Sequence, residues 1–226
     1  QIRIAQVGIT HLSGLEVAGV PTMGIGGAPM FTGKWFFVDP AHGSDGNEGT
    51  ADSPLATLYR AYALARSGYN DVIVLVGDGS TTGTARLSVA LAQTVDSTAT
   101  TGTITWAKNA LHLIGMTAPT GVSARARIAP PSGTYTAATF GNSGNMVNLT
   151  AAGCYFANFS IWGGFSTGAT GCFTWRDSGS RNYYWGVHFQ GLADAASAQN
   201  AASRVLKLEA AQESTFERCT FGVDTV

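Results

Sequence analysis

The chain has 226 residues, enough for one sizeable domain, and its formal net charge of −1 leaves no basic footprint for nucleic acid or an anionic membrane surface. Charged residues make up 12% of the sequence, about half the usual share of a soluble domain, and glycine reaches 29; that pairing suits strands joined by tight turns. Three cysteines, Cys154, Cys172 and Cys219, form an odd set with no CxxC or Cys/His spacing, which points to free thiols in a reducing compartment rather than to disulfides or a metal. No run approaches the roughly 18 apolar residues that span a bilayer, and no charged region followed by an apolar run marks a secretory signal. A soluble protein folded in a cytoplasm is the expectation.

Residues 1–34 stand apart. Only Arg3, Glu16 and Lys34 carry charge, and Gly, Pro and Met crowd the segment "GVPTMGIGGAPMFTGK". Ile2, Ile4, Val7 and Ile9 give short strand-like alternations, but too few large apolar residues follow to build a core. The segment is also too apolar for a solvated linker. Either it folds back on its own domain or it is an arm that lies against a partner; in the second case Ile2, Ile4, Val7, Ile9, Met23, Ile25, Met30 and Phe31 are the partner-binding residues.

At Trp35 the texture changes. "KWFFVDP" predicts a strand ended by Asp39-Pro40, followed by the polar loop "AHGSDGNEGTADS". Ser53-Pro54 has the chemistry of a helix start, Ser as N-cap and Pro at the first helical position. Leu55, Leu58, Tyr62 and Ala65 then recur at spacings of three and four, giving one apolar face up to Gly68. Such a short amphipathic helix could plug the end of a strand stack. Next come the buried-strand patterns "DVIVLVGDG" and "ALHLIGMT", the latter terminated by Gly115, and then "ARARIAPP" with Ile128 before two prolines.

The second half repeats. "CYFANFSIWGG", "NYYWGVHFQGL" and "STFERCTFGVD" each place an aromatic (Phe156, Tyr184, Phe216) five residues before an apolar strand residue (Ile161, Phe189, Phe221), with Gly163, Gly191 or Gly222 close behind. Each window follows a shorter strand, "MVNL", "CFTW" or "RVLKL". Ile161 and Phe189 lie 28 residues apart, Phe189 and Phe221 32. A helix-free period near 30 predicts an all-β fold, a right-handed parallel β-helix over residues 69–226, with residues 164–171 and 194–203 as loops. Residues 35–68 form its first strand, polar loop and capping helix, and residues 1–34 the arm.

The passage "WFFVDPAHGSDGNEGTADSPLATLYRAYALA" resembles the opening of many right-handed β-helix proteins of the pectate-lyase-like fold, in which a strand, a "GSDxNxGT" loop and an "SPxATLxxA" helix cap the first coil. The longer run through "ARARIAPPSGTYTAATF", "CYFANFSIWGGFSTG" and "DSGSRNYYWGVHF" to "ESTFERCTFGVDTV" looks like a narrower group, β-helix structural proteins of tailed bacteriophages of the capsid-decoration or head-fibre type. That resemblance implies a virion protein folded in the host cytoplasm, a homotrimer, anchored by its arm to sister subunits and to the major capsid protein. The sequence stops at Val226 directly after a strand, so a continuation or a partner is expected to cover that end.

A catalytic centre is not expected. Polysaccharide-cutting β-helices carry their acids on central coils, and here no Asp or Glu occurs between Asp96 and Asp177. The acids beyond, Asp177, Asp194, Glu209, Glu213, Glu217 and Asp224, read as turn residues or neighbours of Lys and Arg. His11, His42, His112 and His188 are dispersed, without partners at metal-ligand spacing. Asp45, Asn47 and Glu48 in "HGSDGNEG" offer oxygen donors for calcium but lack the order of a known calcium loop, and "GIGG" does not lead a strand into a helix as a phosphate loop would. No cofactor is expected. Trp162, Trp175, Tyr183, Tyr184 and Trp185 form either a sugar-stacking platform or, as such residues more often do, part of the core. The competing readings are a tailspike that engages or degrades cell-surface polysaccharide and a secreted carbohydrate-binding module, the latter disfavoured by the missing signal.

Overall fold

The computed structural model describes residues 16–17, 20–21, 31–77, 88–90, 104–117, 126–129, 145–163, 173–192 and 201–222. The chain divides into two compact units, Gln1–Phe31 and Thr32–Val226. In the first, strands β1 (Glu16–Val17) and β2 (Val20–Pro21) pair antiparallel, Glu16 opposite Pro21 and Val17 opposite Val20.

Among its described residues the second unit is all-β apart from one short helix. In chain order it contains β3 (Trp35–Val38), α1 (Leu58–Leu64), β4 (Val72–Val76), β5 (Ser88–Ala90), β6 (Ile104–Trp106), β7 (His112–Met116), β8 (Arg127–Ala129), β9 (Asn145–Leu149), β10 (Tyr155–Ala157), β11 (Ser160–Gly163), β12 (Phe173–Asp177), β13 (Tyr183–Trp185), β14 (His188–Leu192), β15 (Arg204–Leu208), β16 (Thr215–Glu217) and β17 (Thr220–Gly222). They form three parallel sheets: six strands in the order β16-β13-β10-β7-β4-β3, five in the order β17-β14-β11-β8-β5, and four in the order β15-β12-β9-β6. From β4 on, the chain visits the three sheets in rotation, so each strand pairs with the strand three elements away, and β4 pairs also with β3.

The register carries out the sequence repeat residue by residue. Leu113, Phe156, Tyr184 and Phe216 oppose one another along the six-stranded sheet, and Ile128, Ile161, Phe189 and Phe221 along the five-stranded one. Val147, Trp175 and Leu206 do so in the third. These columns face one shared core. Phe156 stacks on Tyr184 at 5.1 Å, Tyr184 on Phe216 at 4.4 Å, and Phe189 on Phe221 at 5.3 Å, while Trp175 meets Phe156, Tyr184 and Phe189 edge-on. Full burial of a ring such as Phe156 or Phe189 is worth about 1.5–3 kcal/mol, and each ring pair adds roughly 0.5–1.5 kcal/mol; Phe221, in the last circuit, is exposed.

The turns between sheets repeat as well. Two residues before each strand from β4 onward in the six-stranded sheet, the backbone is left-handed: Asn70 (φ 56°), Ala110 (48°), Gly153 (68°), Arg181 (54°) and Glu213 (55°). The amides of Ala110, Gly153 and Arg181 then donate to carbonyls one circuit on, of Ala152, Ser180 and Gln212. A second left-handed column, Asn158, Gly186 and Arg218, precedes β11, β14 and β17, and the amides of Asn158 and Gly186 reach Trp185 O and Glu217 O. A left-handed non-glycine residue costs about 1–2 kcal/mol, which these inter-circuit bonds offset.

Two expectations about local structure need correction. The helix starts at Leu58, capped by the Thr57 hydroxyl accepting from Arg60 N, and not at Ser53-Pro54. The reason is tertiary. Leu55 is fully buried and bridges Val38 in parallel, covering the outer edge of β3 together with Gly49. The Asp45 carboxylate meanwhile accepts from the amides of Ala56 and Thr57 and from the Thr57 hydroxyl, so helical geometry begins only beyond it. The helix ends at Ala65, well before Gly68, with Lys108 Nζ donating to the carbonyls of Tyr62, Ala63 and Ala65. It packs on β3 and β4 and sends Leu58, Ala61 and Tyr62 into the core. Gly115, in turn, does not end a strand: it lies inside β7, where Asn158 crosses and donates Nδ2 to its carbonyl. A Cβ at Gly115 would stand 2.0 Å from Asn158 O.

These backbone positions make opposite predictions for two small substitutions. Gly115→Ala should destabilise by about 3 kcal/mol, because the clash is with backbone. Ala110→Gly should stabilise by about 0.5–1 kcal/mol, relief of the left-handed strain exceeding the entropy that glycine adds to the unfolded chain. Urea unfolding midpoints of the two variants test both signs.

Candidate functional site

Inward columns are filled with core, so chemistry has to come from outward positions. On the six-stranded sheet one outward row runs Trp35, Val72, His112, Tyr155, Tyr183, Thr215, and the next Phe37, Val74, Ile114, Ala157, Trp185, Glu217. Val72, Val74, His112, Ile114, Tyr155 and Ala157 are buried although they face away from the core; Tyr183 and Trp185 are half-buried, and Thr215 and Glu217 exposed. From Tyr183 on, outward side chains reach solvent, as do Trp35 at the other end and the inward Phe221 of the last circuit. There Tyr155 and Tyr183 stack at 5.6 Å and 14°, the Tyr183 hydroxyl donates to the Glu217 carboxylate, and the Arg218 guanidinium lies 5.8 Å from the Trp185 ring centre. Burial pushes the Tyr155 phenol up to about 12, with Tyr183 and Glu217 adding to it. The hydrogen bond to Glu217 raises Tyr183 as well. Indole and phenol rings beside one carboxylate and one guanidinium offer a stacking face with acceptor and donor, the composition that suits hydroxyl-rich ligands.

The five-stranded sheet carries a polar outward row, Arg127, Ser160, His188, Thr220. Arg127, Ser160 and His188 are buried; His188 Nδ1 lies 2.6 Å from Thr220 Oγ1, and the Arg127 guanidinium 5.2 Å from the ring centre of Trp162 in the neighbouring row.

Of the partner-binding residues expected in the arm, Ile2, Ile4, Val7, Ile9, Met23, Ile25 and Met30 lie outside the described residues, and Phe31 is half-buried. The five aromatics divide between core and outward positions. Trp175 and Tyr184 are in the core, while Trp162, Tyr183 and Trp185 face outward and are half-buried. Alternation along the strand decides which, since Tyr184 points inward between Tyr183 and Trp185. His11 lies outside the described residues, His42 is exposed beside Asp39, and His112 and His188 are buried. In the polar loop the Asp45 oxygens are taken by the donors at Ala56 and Thr57, and Asn47 Nδ2 donates to Pro54 O. Among the described residues no group of three or more His, Cys, Asp or Glu side chains is placed to hold a metal ion. Cys154 is buried, its thiol pushed up to about 11 by burial; Cys219 is half-buried, and Cys172 lies outside the described residues.

The acids fall into two groups. Glu209 pairs with Arg176 and Lys207, Glu213 with Arg181, and Glu217 with Tyr183 and Arg218. Asp177, the neighbour of Arg176, is a fully buried carboxylate at the end of β12. Its column mates are Leu149 and Leu208. It accepts from the Tyr184 hydroxyl (2.7 Å), the Gly179 amide (2.8 Å), Asn182 Nδ2 (3.3 Å) and the Ser214 hydroxyl (3.3 Å), and Tyr184 in turn accepts from Trp175 Nε1. Burial first, then Asp177, raises the Tyr184 phenol well above its ordinary value.

No protein-family profile matches the chain, and no curated protein matches it. Among solved structures it is similar to a rhamnogalacturonan lyase, at 16% identity and a TM-score of 0.44, over 83% of this chain and 51% of that one. The chain thus spans about half the length of that protein. The expectation that the chain is not an enzyme is corrected here: the solved protein to which it is similar is an enzyme, and the non-enzymatic assignment is dropped. A likeness at this level transfers neither an activity nor a residue.

The buried polar cluster makes its own prediction. Tyr184→Phe removes one donor from Asp177 and the acceptor of Trp175 Nε1 while leaving the ring stack in place. It should cost about 2–3 kcal/mol in chemical denaturation, the penalty for stranding buried polar atoms, and more than Tyr183→Phe, whose hydroxyl is at the surface.

Proposed function

We propose that the chain is a structural virion protein of a tailed bacteriophage, a capsid-decoration or head-fibre subunit whose second unit is a right-handed parallel β-helix. The observation that supports this reading is the rotation of the chain through three parallel sheets whose core columns stay in register, the one shift among the described pairings falling between Trp162 and Gly163, with backbone bonds running between circuits at both strands and turns. A stack built that way is stiff along its axis and suits a projecting or shell-bound part. Residues 1–34, low in charge and rich in Gly, Pro and Met, would supply the anchor to the capsid shell and to sister subunits, with three subunits as the expected assembly. Light scattering on the full chain and on a chain beginning at Lys34 tests the anchor. The expected outcome is an oligomer for the first and a folded monomer for the second; two monomers would remove the assembly role of residues 1–33.

A second reading, a receptor-binding tailspike that engages cell-surface polysaccharide, is favoured by the outward ring pair Tyr155–Tyr183 with Trp185, Glu217 and Arg218 beside it. Stacking on an aromatic side chain contributes on the order of 1 kcal/mol, so Trp185→Ala should weaken binding to a responsive glycan about tenfold in a glycan-array and calorimetry series. A chain that binds no glycan on the array removes this reading and leaves the first.

A further inference from the structure

We propose that the His112 imidazole is an acid-sensitive clasp between successive circuits, whose protonation at Nδ1 releases the Tyr155 amide and lets the seam between β7 and β10 open locally. The ring is buried in the outward row of the six-stranded sheet and touches the circuit on either side. Its Nδ1 accepts from Tyr155 N at 3.0 Å, and its Nε2 faces Asn70 Oδ1 at 3.3 Å. An amide N–H can only donate and a carbonyl-type oxygen can only accept, so these two contacts fix the neutral tautomer with the proton on Nε2. Asn70 is itself the left-handed residue that turns the chain into β4, and Tyr155 opens β10. One ring thus spans three circuits.

Acid attacks this arrangement at one atom. Nδ1 holds the only lone pair left for a proton, and once it carries one, two donors face each other at hydrogen-bond distance. The charged and titratable groups around the ring do little to oppose this. On the β3–β4 side Asp71 is fully buried, but it is already engaged by the Arg66 side chain and the amides of Arg66 and Lys34. Desolvation alone would raise that carboxyl; the hydrogen bonds from Arg66 and from the Lys34 amide outweigh it and hold Asp71 below its ordinary value, charged through the acid range. On the β10 side stand the Tyr155 phenol and, behind it, Tyr183, both neutral in acid. Burial is the largest effect on His112 and lowers it to about 4, with Asp71 pulling weakly the other way.

The sign follows from linkage. Above about pH 6.5 the ring is neutral whether the seam is closed or open, and pH has no effect. As the pH falls below that value the open seam takes up a proton that the closed one refuses, so closure weakens steadily and the effect levels off below about pH 4. Between those limits the opening equilibrium should rise roughly a hundredfold.

The test combines two measurements on the full chain. NMR titration of the imidazole signals, with only 4 histidines to assign, should show His112 as the Nε2-protonated tautomer with a midpoint near 4. Hydrogen exchange, corrected for the intrinsic pH dependence of the amides, should show protection at Tyr155 falling roughly a hundredfold from pH 6.5 to 4 while that at Arg176 in β12 holds. His112→Gln, which keeps an acceptor and a donor without a titrating nitrogen, should abolish the loss. A midpoint near 6.5, unchanged protection at Tyr155, an equal loss at Arg176, or the same loss in His112→Gln would each overturn the proposal. Should His112→Gln fail to fold, the titration and the Tyr155–Arg176 comparison on the unaltered chain decide it.

Discussion

Register is the constraint on which everything else in the large unit rests. A parallel strand cannot pair with a strand joined to it by a tight turn, so every strand from β4 onward depends on partners one circuit away, and one slip would rotate core residues to the outside. Two devices hold the register. Aromatic columns such as Phe156–Tyr184–Phe216 stack ring on ring, and the left-handed turn residues repeat two positions before the strands and donate their amides across circuits. The strain of Ala110, Arg181 and Glu213 in that conformation is the counterpart of turns that deliver each strand to the same height.

Against that apolar frame the buried polar groups stand out, and each ties elements that are distant in sequence. Asp71 joins the amide before β3 to the segment after α1, Asp177 gathers donors from three consecutive segments around a turn, and His112 bridges three circuits. Fully bonded, such groups favour one arrangement over near-equivalents that bury the same area. Asp177 illustrates this: a leucine occupies its position in the circuits on both sides, so the column tolerates an apolar residue there, and the carboxylate marks one turn as different from its neighbours.

The outward faces change in chemistry along the stack. Buried side chains such as Val72, Ile114 and Ser160 give way to Glu217, Arg218 and Thr215, exposed in the last circuit together with Phe221, and to the ion pairs of Arg176, Arg181 and Lys207. Both proposed roles draw on this gradient. A virion part needs a stiff core and faces that differ along its length, and a glycan binder needs rings that reach solvent, as Tyr183 and Trp185 partly do.

Much of this was legible in the sequence, because the repeat is written in the inward residues. Phe156, Tyr184 and Phe216, and then Ile161, Phe189 and Phe221, align by eye and align again in space, since a column position selects for size and apolarity, which side-chain identity records directly. The left-handed columns left no such trace: Asn, Ala, Gly, Arg and Glu share one backbone state, held at Ala110, Gly153, Asn158, Arg181 and Gly186 by amides that donate to carbonyls of the next circuit. The helix start went the same way, Asp45 and the Val38–Leu55 bridge overruling a favourable Ser-Pro cap. Of the candidate site, the aromatics were visible as a cluster, but which of them face outward was not, and neither were the roles of Asp177 and His112. The sequence by itself determined the period and the core columns, which depend on what each side chain is. The tertiary structure decided turns, caps and buried polar contacts, because those depend on which groups from other circuits arrive within hydrogen-bond reach.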